Sequence, residues 1–353
     1  MPLPWTDAEA ADLAECRTLL CAGSRSFHAA SRLLPVAIRD PAIALYAFCR
    51  VADDAIDCDG PGQLGWLRER LALIYAGRPL PLVADRAFAR IVERFAIPRD
   101  LPEALLEGFA WDAEGRRYPD LAGVRAYSVR VAGTVGAMMA VLMGVRDPER
   151  LAAAVDLGVG MQLSNIARDV GEDARAGRLY LPVSWLRDAG IDPAAWLARP
   201  AFTAEIAAIV QRLLGAADAL YGRATLGIAS LPLSCRPGIH LARALYAEIG
   251  RELERGGLDS IARRAVVSSN RKFAVAARTL AFPGRLWAPA RKPAAMVQLD
   301  QTLFLIEAVA ATPPRDALRR VRAKPIEDRL VWVIDLFARL ERRDQLLRGG
   351  SFR

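Results

Sequence analysis

The chain has 353 residues, enough for one large domain or two ordinary ones. Apolar residues make up 53% and aromatics 7%, so Ala, Leu and Val carry the interior and favour close-packed helices; no sustained alternation of β-branched residues points to a sheet. The net charge of +8 comes mainly from arginines spread along the chain, without a basic run interleaved with aromatics, which argues against nucleic acid and leaves an anionic substrate or an anionic membrane surface.

The first predicted helix runs from Thr6–Asp7 to about Leu20, and Gly23 ends it. A short helix opens at Ser24–His28 and ends near Pro35. Asp40-Pro41 reads as an N-cap with proline at the first helical position, opening the helix that carries Asp53 and Asp57. After the Gly60-Pro61-Gly62 loop come helices at 63–76 and 84–95, and one opened by Asp100 and Pro102 that ends near Gly115. Asp120 begins a longer helix through Tyr127 to Met143. Gly133 and Gly136 inside it each cost roughly 1 kcal/mol against alanine, which points either to close helix packing or to room for a long apolar ligand. Asp147-Pro148 opens the next helix, Gly177 ends it, and Pro182 opens a short one. Further helices are expected at 204–229, 239–254 and 259–280. Pro283, Gly284, Pro289 and Pro293 mark a linker, so the expected organisation is a helical domain at 1–282 and a linker with a helical appendage at 283–353. Its pieces are 299–310, 314–321 and 325–347, the last strongly amphipathic: a helix docked on the core, or one lying on lipid.

Five cysteines without a C-x-x-C pair, and two histidines, argue against zinc and disulfide frameworks. The opening MPLPWTDAEAADLAEC is acidic and lacks a charged segment before an apolar one, and the uncharged run Val131–Val145 is shorter than the ~20 residues of a membrane span. A cytoplasmic location is expected, with peripheral contact at the inner membrane surface left open.

Two stretches carry the chemistry. In MQLSNIARDVGEDARAGRLYLP at 161–182, Asn165, Asp169 and Asp173 follow at intervals of four, with Gln162 just upstream. In RVADDAID at 50–57, Asp53 and Asp57 form a second pair at that spacing, with Arg50 before them. On a helix such residues share one face, with Cβ atoms about 5–6 Å apart. An isolated pair of this kind is ordinarily a solvated face. Here the surrounding helices are apolar nearly all round, so they are buried, and buried carboxylates need a partner or a metal. Two acidic faces on two helices suit divalent cations, and Mg²⁺ is held by a few carboxylates together with substrate phosphates. Arg50, Arg168 and Arg178 flank these faces and match a diphosphate. Loss of diphosphate leaves a carbocation, which needs dry walls and π-electrons such as those of Phe27, Tyr46 and Tyr127. For any one of these aromatics, core packing is the competing reading.

These residues also resemble a known family. GSRSFHAASRLLP at 23–35, LYAFCRVADDAID at 45–57, YSVRVAGTVG at 127–136 and QLSNIARDVGEDARAGRLYLP at 162–182 are similar to the motifs of the squalene/phytoene synthases, over about Ser24 to Leu280. The resemblance implies the all-α isoprenoid synthase fold, a single helical domain around a central cavity. It implies that Asp53, Asp57, Asn165, Asp169 and Asp173 bind Mg²⁺, with Mn²⁺ as the alternative ion. It places Ser24, Tyr46, Arg50, Gln162 and Arg264 at the diphosphate or the reacting end of the substrate. Phe27, Tyr127 and Tyr246 match aromatics near the cation, and Arg178 and Tyr180 match the flap after the second motif. Squalene synthases usually carry Glu just before the last Asp of the first motif, where this chain has Ile56. The first motif also fits the D-D-x-x-D of head-to-tail synthases through Asp53, Asp54 and Asp57, but Val170 stands where those enzymes place an Asp in the second. The implied reaction is head-to-head condensation of two geranylgeranyl diphosphates through a cyclopropyl diphosphate, ending in proton loss, with no NADPH expected. A fifteen-carbon substrate is the near alternative, and a non-catalytic helical protein of membrane surfaces the distant one. Chain length is expected to depend on cavity depth, through residues such as Ala137, Met138 and Val141.

Overall fold

The computed structural model describes residues 5–23, 25–59, 62–281 and 299–314, and only the backbone of 25, 26, 57–59 and 280. Helices account for about three quarters of it, and no strand occurs among the described residues. In chain order they are α1 (Asp7–Gly23), α2 (Arg25–Ser31), α3 (Val36–Asp59), α4 (Gln63–Tyr75), α5 (Val83–Phe95), α6 (Asp100–Ala113), α7 (Leu121–Ser128) and α8 (Thr134–Leu142). Then follow α9 (Pro148–Arg175), α10 (Val183–Asp188), α11 (Pro193–Ala198), α12 (Ala204–Ile228), α13 (Arg236–Arg255), α14 (Ser269–Ala281) and α15 (Leu303–Ala311).

Helix α9 is the axis of the molecule. It starts as its sequence requires, with the Asp147 side chain accepting from the Arg150 backbone and Pro148 in the first turn. It ends at Gly177, whose φ of +76° is a left-handed conformation that glycine adopts without strain. Helices α7, α8, α12 and α13 pack along it. Small residues permit the closest approaches. A Cβ on Gly158 would lie 2.2 Å from the Ala132 carbonyl oxygen, and one on Gly136 2.3 Å from that of Ala154. Of the two readings of the glycines at 133 and 136, close packing therefore holds for both, since a Cβ on Gly133 would lie 2.9 Å from Val155.

Three expectations are corrected. The helix bearing Asp53 starts at Val36, not at Asp40, and encloses Pro41. The buried Asp40 side chain is engaged instead by Arg17 at 3.0 Å and Arg39 at 3.2 Å, so it is not a cap. The helix from Asp120 to Met143 is interrupted by a π-helical turn at Val129–Gly133. The stretch 259–268 is not helical: the Asp259 side chain turns it by accepting from the backbone of Ile261 and Ala262, and it crosses α9 where Gly171 donates to the Ser260 carbonyl at 3.0 Å. Helix α11 was not foreseen, although Asp192-Pro193 repeats the signal of Asp147-Pro148.

Leu305, Ile306 and Val309 of α15 join the main hydrophobic core, and Arg146 binds that region by donating to the carbonyls of Phe95, Ala96 and Thr312 at 2.8–2.9 Å. The expected linker at 283–298, the expected helix at 325–347 and all but the first residue of the one expected at 314–321 lie outside the described residues. Among the described residues no helix is long and apolar enough to cross a membrane.

Candidate active site

A cavity of about 660 Å³ runs between α3, α6, α8, α9, α12 and α13, in the range of small-molecule sites. One end is polar, with Arg50, Asp53, Asp112, Gln162, Asn165, Arg168 and Arg264 on its walls. Apart from Arg150 the rest is largely apolar, including Leu105, Val135, Met139, Met143, Leu157 and Leu231. Helix α9 sets the length: its lining residues run from Arg150 to Arg168, 168 − 150 = 18 residues or about 27 Å of helix, and Asp169 and Asp173 are not among them.

The two acidic motifs meet this polar end differently. On α3, Asp53 lines the cavity and is half exposed, and Arg50 approaches it at 3.8 Å while pairing more closely with Asp54, Nε to Oδ2 at 2.9 Å. Asp57 stands one turn further along α3, and its side chain is outside the described set, as is all of Ser24. On α9, Asn165 and Gln162 face the cavity, and the Asn165 amide reaches Gln162 Oε1 at 3.4 Å. Asp169 is gripped from two sides, by Arg168 Nε at 2.7 Å and by Arg264 Nε at 2.7 Å, the latter arriving from 95 residues away. Burial alone would raise the Asp169 carboxyl, but the hydrogen bonds and charges of Arg168 and Arg264 outweigh it and hold the group below the usual carboxylate range. Asp173 goes the other way. Burial first, then the charge of Asp169, push its carboxyl up to about 7, with Arg178 opposing and Asp112 and Glu172 adding to the rise.

The aromatics form two groups. Phe27 stacks on Tyr46 with centroids 5.7 Å apart. Both rings line the cavity, as do Tyr127 and Tyr246. Tyr127 and Tyr180 stack at 5.1 Å and share one carboxylate: Tyr127 donates to Asp112 Oδ2 and Tyr180 to Asp112 Oδ1, each at 2.7 Å. Burial, and then Asp112, raise both phenols well above their ordinary value. Asp112 is the residue that sequence reasoning missed. In FAWDAEG it has no acidic residue three or four positions away, and its one signal was a carboxylate amid the apolar residues of a buried helix.

The floor of the cavity also differs from expectation. Ala137, Met138 and Val141 are fully buried but are not among the lining residues, whereas Gly136, Met139 and Met143 are. The π-helical turn is the reason: one extra residue in a turn rotates everything downstream by about 100°.

Would this end hold a divalent cation? Among the described residues no three acidic, histidine or cysteine groups converge on a ready-made cage. That pattern is compatible with Mg²⁺, which takes one or two carboxylates and completes its shell with water and phosphate oxygens. One observation favours a cation: Asn165 Oδ1 is buried without a hydrogen bond. Asp173 is crowded by like charges, which either a proton or a bound cation relieves.

Comparison with known proteins agrees with this geometry. The sequence profile of the family described as squalene/phytoene synthase matches residues 20–272. A phytoene synthase of Rhodobacter capsulatus is 58% identical over 268 residues, covering 74% of this chain and 79% of its own length. A phytoene synthase of Cereibacter sphaeroides is 48% identical over 351 residues, covering 95% of each. Among solved structures, a dehydrosqualene synthase bound to a ligand superposes with a TM-score of 0.71 at 27% identity, covering 78% of this chain and 97% of the other. With its helical shell, its half-polar cavity and these relatives, the chain belongs to the squalene/phytoene synthase family.

Proposed function

We infer that this chain catalyses the Mg²⁺-dependent head-to-head condensation of two geranylgeranyl diphosphates to the forty-carbon hydrocarbon phytoene, a step of carotenoid biosynthesis. The observation that carries the reading is the division of one cavity into an end of carboxylates and guanidinia and a long apolar remainder. Relatives named phytoene synthase, at 58% and 48% identity, support the same choice within the family.

Asp53, Asp57, Asn165, Asp169 and Asp173 are the proposed ligands of Mg²⁺. Bound there, the ion supplies positive charge that neutralises the departing diphosphate. Arg50, Arg168, Arg264 and Gln162 offer N–H donors to diphosphate oxygens at the same end, with Ser24 and Tyr46 assigned beside them from the family pattern. Loss of the first diphosphate breaks a C–O bond and leaves an allylic cation. Its carbon is attacked by the double bond of the second substrate, and a proton is lost to close a cyclopropane. Departure of the second diphosphate, rearrangement and a further proton loss give the hydrocarbon. Phe27, Tyr127 and Tyr246 present π-electrons to these cations, which cation–π attraction stabilises by about 1–2 kcal/mol each. Arg178 and Tyr180 stand on the loop after α9 and are assigned from the family pattern as the flap over the polar end. The apolar walls exclude water, the competing nucleophile.

The test is a product assay on purified protein with Mg²⁺ and labelled geranylgeranyl or farnesyl diphosphate, with and without NADPH. A forty-carbon hydrocarbon formed without NADPH is the expected result. A thirty-carbon product keeps the mechanism and moves the specificity to the fifteen-carbon substrate. Release of neither hydrocarbon nor diphosphate overturns the catalytic reading.

A further inference from the structure

Asp112 has no place in the two acidic motifs, yet it lines the cavity and organises three segments. It lies in the last turn of α6, Tyr127 is on α7, and Tyr180 is on the loop between α9 and α10. One carboxylate accepts both hydroxyls at 2.7 Å, one on each oxygen. Tyr118 completes the assembly, with its ring centroid 5.3 Å from that of Tyr127 and 6.4 Å from that of Tyr180. The end of the same loop is fastened by Val183 and Ser184, whose backbone N–H groups donate to the carbonyls of Tyr118 and Pro119 at 2.9 and 2.8 Å.

Two consequences follow from the chemistry. A phenol has one proton to donate. With both directed at Asp112, neither tyrosine donates to a nucleophilic water in the cavity, and Tyr127 offers the cavity only its ring and its oxygen lone pairs. Second, the ring of Tyr127 and the loop bearing Tyr180 are held in one position by hydrogen bonds to a charged group, the stronger kind.

We propose that Asp112 is a positioning residue that keeps the Tyr127 ring and the Tyr180 loop in place between the two diphosphate departures, and so determines whether the carbocation ends as hydrocarbon or is captured by water. The inference rests on the head-to-head reaction assigned above. In capture, a water oxygen bonds to the cationic carbon and the water proton goes to solvent, giving an alcohol after the diphosphate has already left. In the productive route a C–H bond breaks instead and no oxygen is added.

The experiment uses the full chain with Mg²⁺ and labelled geranylgeranyl diphosphate, and measures hydrocarbon, alcohols and released diphosphate together. Asp112→Asn conserves shape but has a single acceptor oxygen, so only one of the two tyrosines keeps its bond. The expected result is an alcohol-to-hydrocarbon ratio raised about tenfold, the effect of one charge-assisted hydrogen bond, with KM changed less than about twofold. Tyr180→Phe keeps the stacked ring, removes one of the two bonds, and is expected to shift the ratio in the same direction by less. If Asp112→Asn fails to fold, Tyr180→Phe decides. A ratio unchanged from wild type in the folded variants overturns the inference, even where turnover falls, because a merely structural residue lowers rate without altering partition. Wild-type protein that releases no diphosphate refutes the functional assignment and this inference with it; wild-type protein that makes hydrocarbon leaves the partition as the sole test.

Discussion

Replacing Asp169 by asparagine removes one negative charge and changes no volume. In the wild type its two oxygens take four contacts, from Arg168 at 2.7 and 2.5 Å and from Arg264 at 2.7 and 3.3 Å. The amide has one acceptor oxygen, so about half of these contacts become N–H against N–H. A hydrogen bond to a charged group contributes about 1.5–3 kcal/mol, but Arg264 is 44% exposed and water takes part of its share. The stability lost is therefore about 1–2 kcal/mol, a fall of a few degrees in Tm, with the helical circular dichroism unchanged. Activity falls much further, because the charge is removed where positive charge has to be held against a departing diphosphate. Deleting one such electrostatic group costs roughly 10²–10³ in kcat. The assay is diphosphate release and hydrocarbon formation at several Mg²⁺ concentrations, alongside a thermal melt. Wild-type turnover by Asp169→Asn at saturating Mg²⁺ would refute the assignment of this carboxylate to the metal.

Gly158→Ala drives a Cβ to 2.2 Å from the Ala132 carbonyl oxygen and 2.7 Å from its carbon, a clash with backbone that no rotamer relieves; a loss of about 1–3 kcal/mol in a urea melt is expected, and a variant as stable as wild type would sink the packing argument. Gly215→Ala on α12 meets nothing within 4 Å and serves as the control, gaining up to about 1 kcal/mol. Met139→Trp fills the apolar end of the cavity, so kcat/KM for the twenty-carbon diphosphate is expected to fall at least tenfold relative to the fifteen-carbon one; equal losses for both would show that this end does not measure chain length. Burial pushes the Asp156 carboxyl up to about 6 against the opposing charge of Arg223, so its neutral form is favoured by folding. That contribution is fully present below about pH 4 and is lost as pH rises through 6, amounting to about 3 kcal/mol. Asp156→Asn should therefore gain on wild type as pH rises from 4 to 7, and melts of the two proteins that stay parallel across this range would refute the shift.

Much of this protein is legible without coordinates because its strongest signals are local. The caps at Asp120 and Asp147 and the glycine at 177 act within one helical turn, so they mark helix ends wherever the chain folds. The spacing of Asn165, Asp169 and Asp173 is a property of one helix, and so was the inference that they share a face. The two acidic faces were also expected to belong to one site, and the structure puts Asp53 and Asn165 on one cavity.

Tertiary structure decided what depends on distant partners. Asp40 reads as a cap until Arg17 and Arg39 are found on it, and 259–280 reads as one helix until Gly171 is seen to hold its first part across α9. The π-helical turn at Val129–Gly133 leaves no mark in the apolar pattern, yet it selects Met139 over Met138 as a cavity wall. Asp112 acquires its meaning from Tyr127 and Tyr180, 15 and 68 residues away. Periodicity in a sequence reports the geometry of one element. The environment of a side chain is set by packing between elements, which brings together residues that no spacing connects.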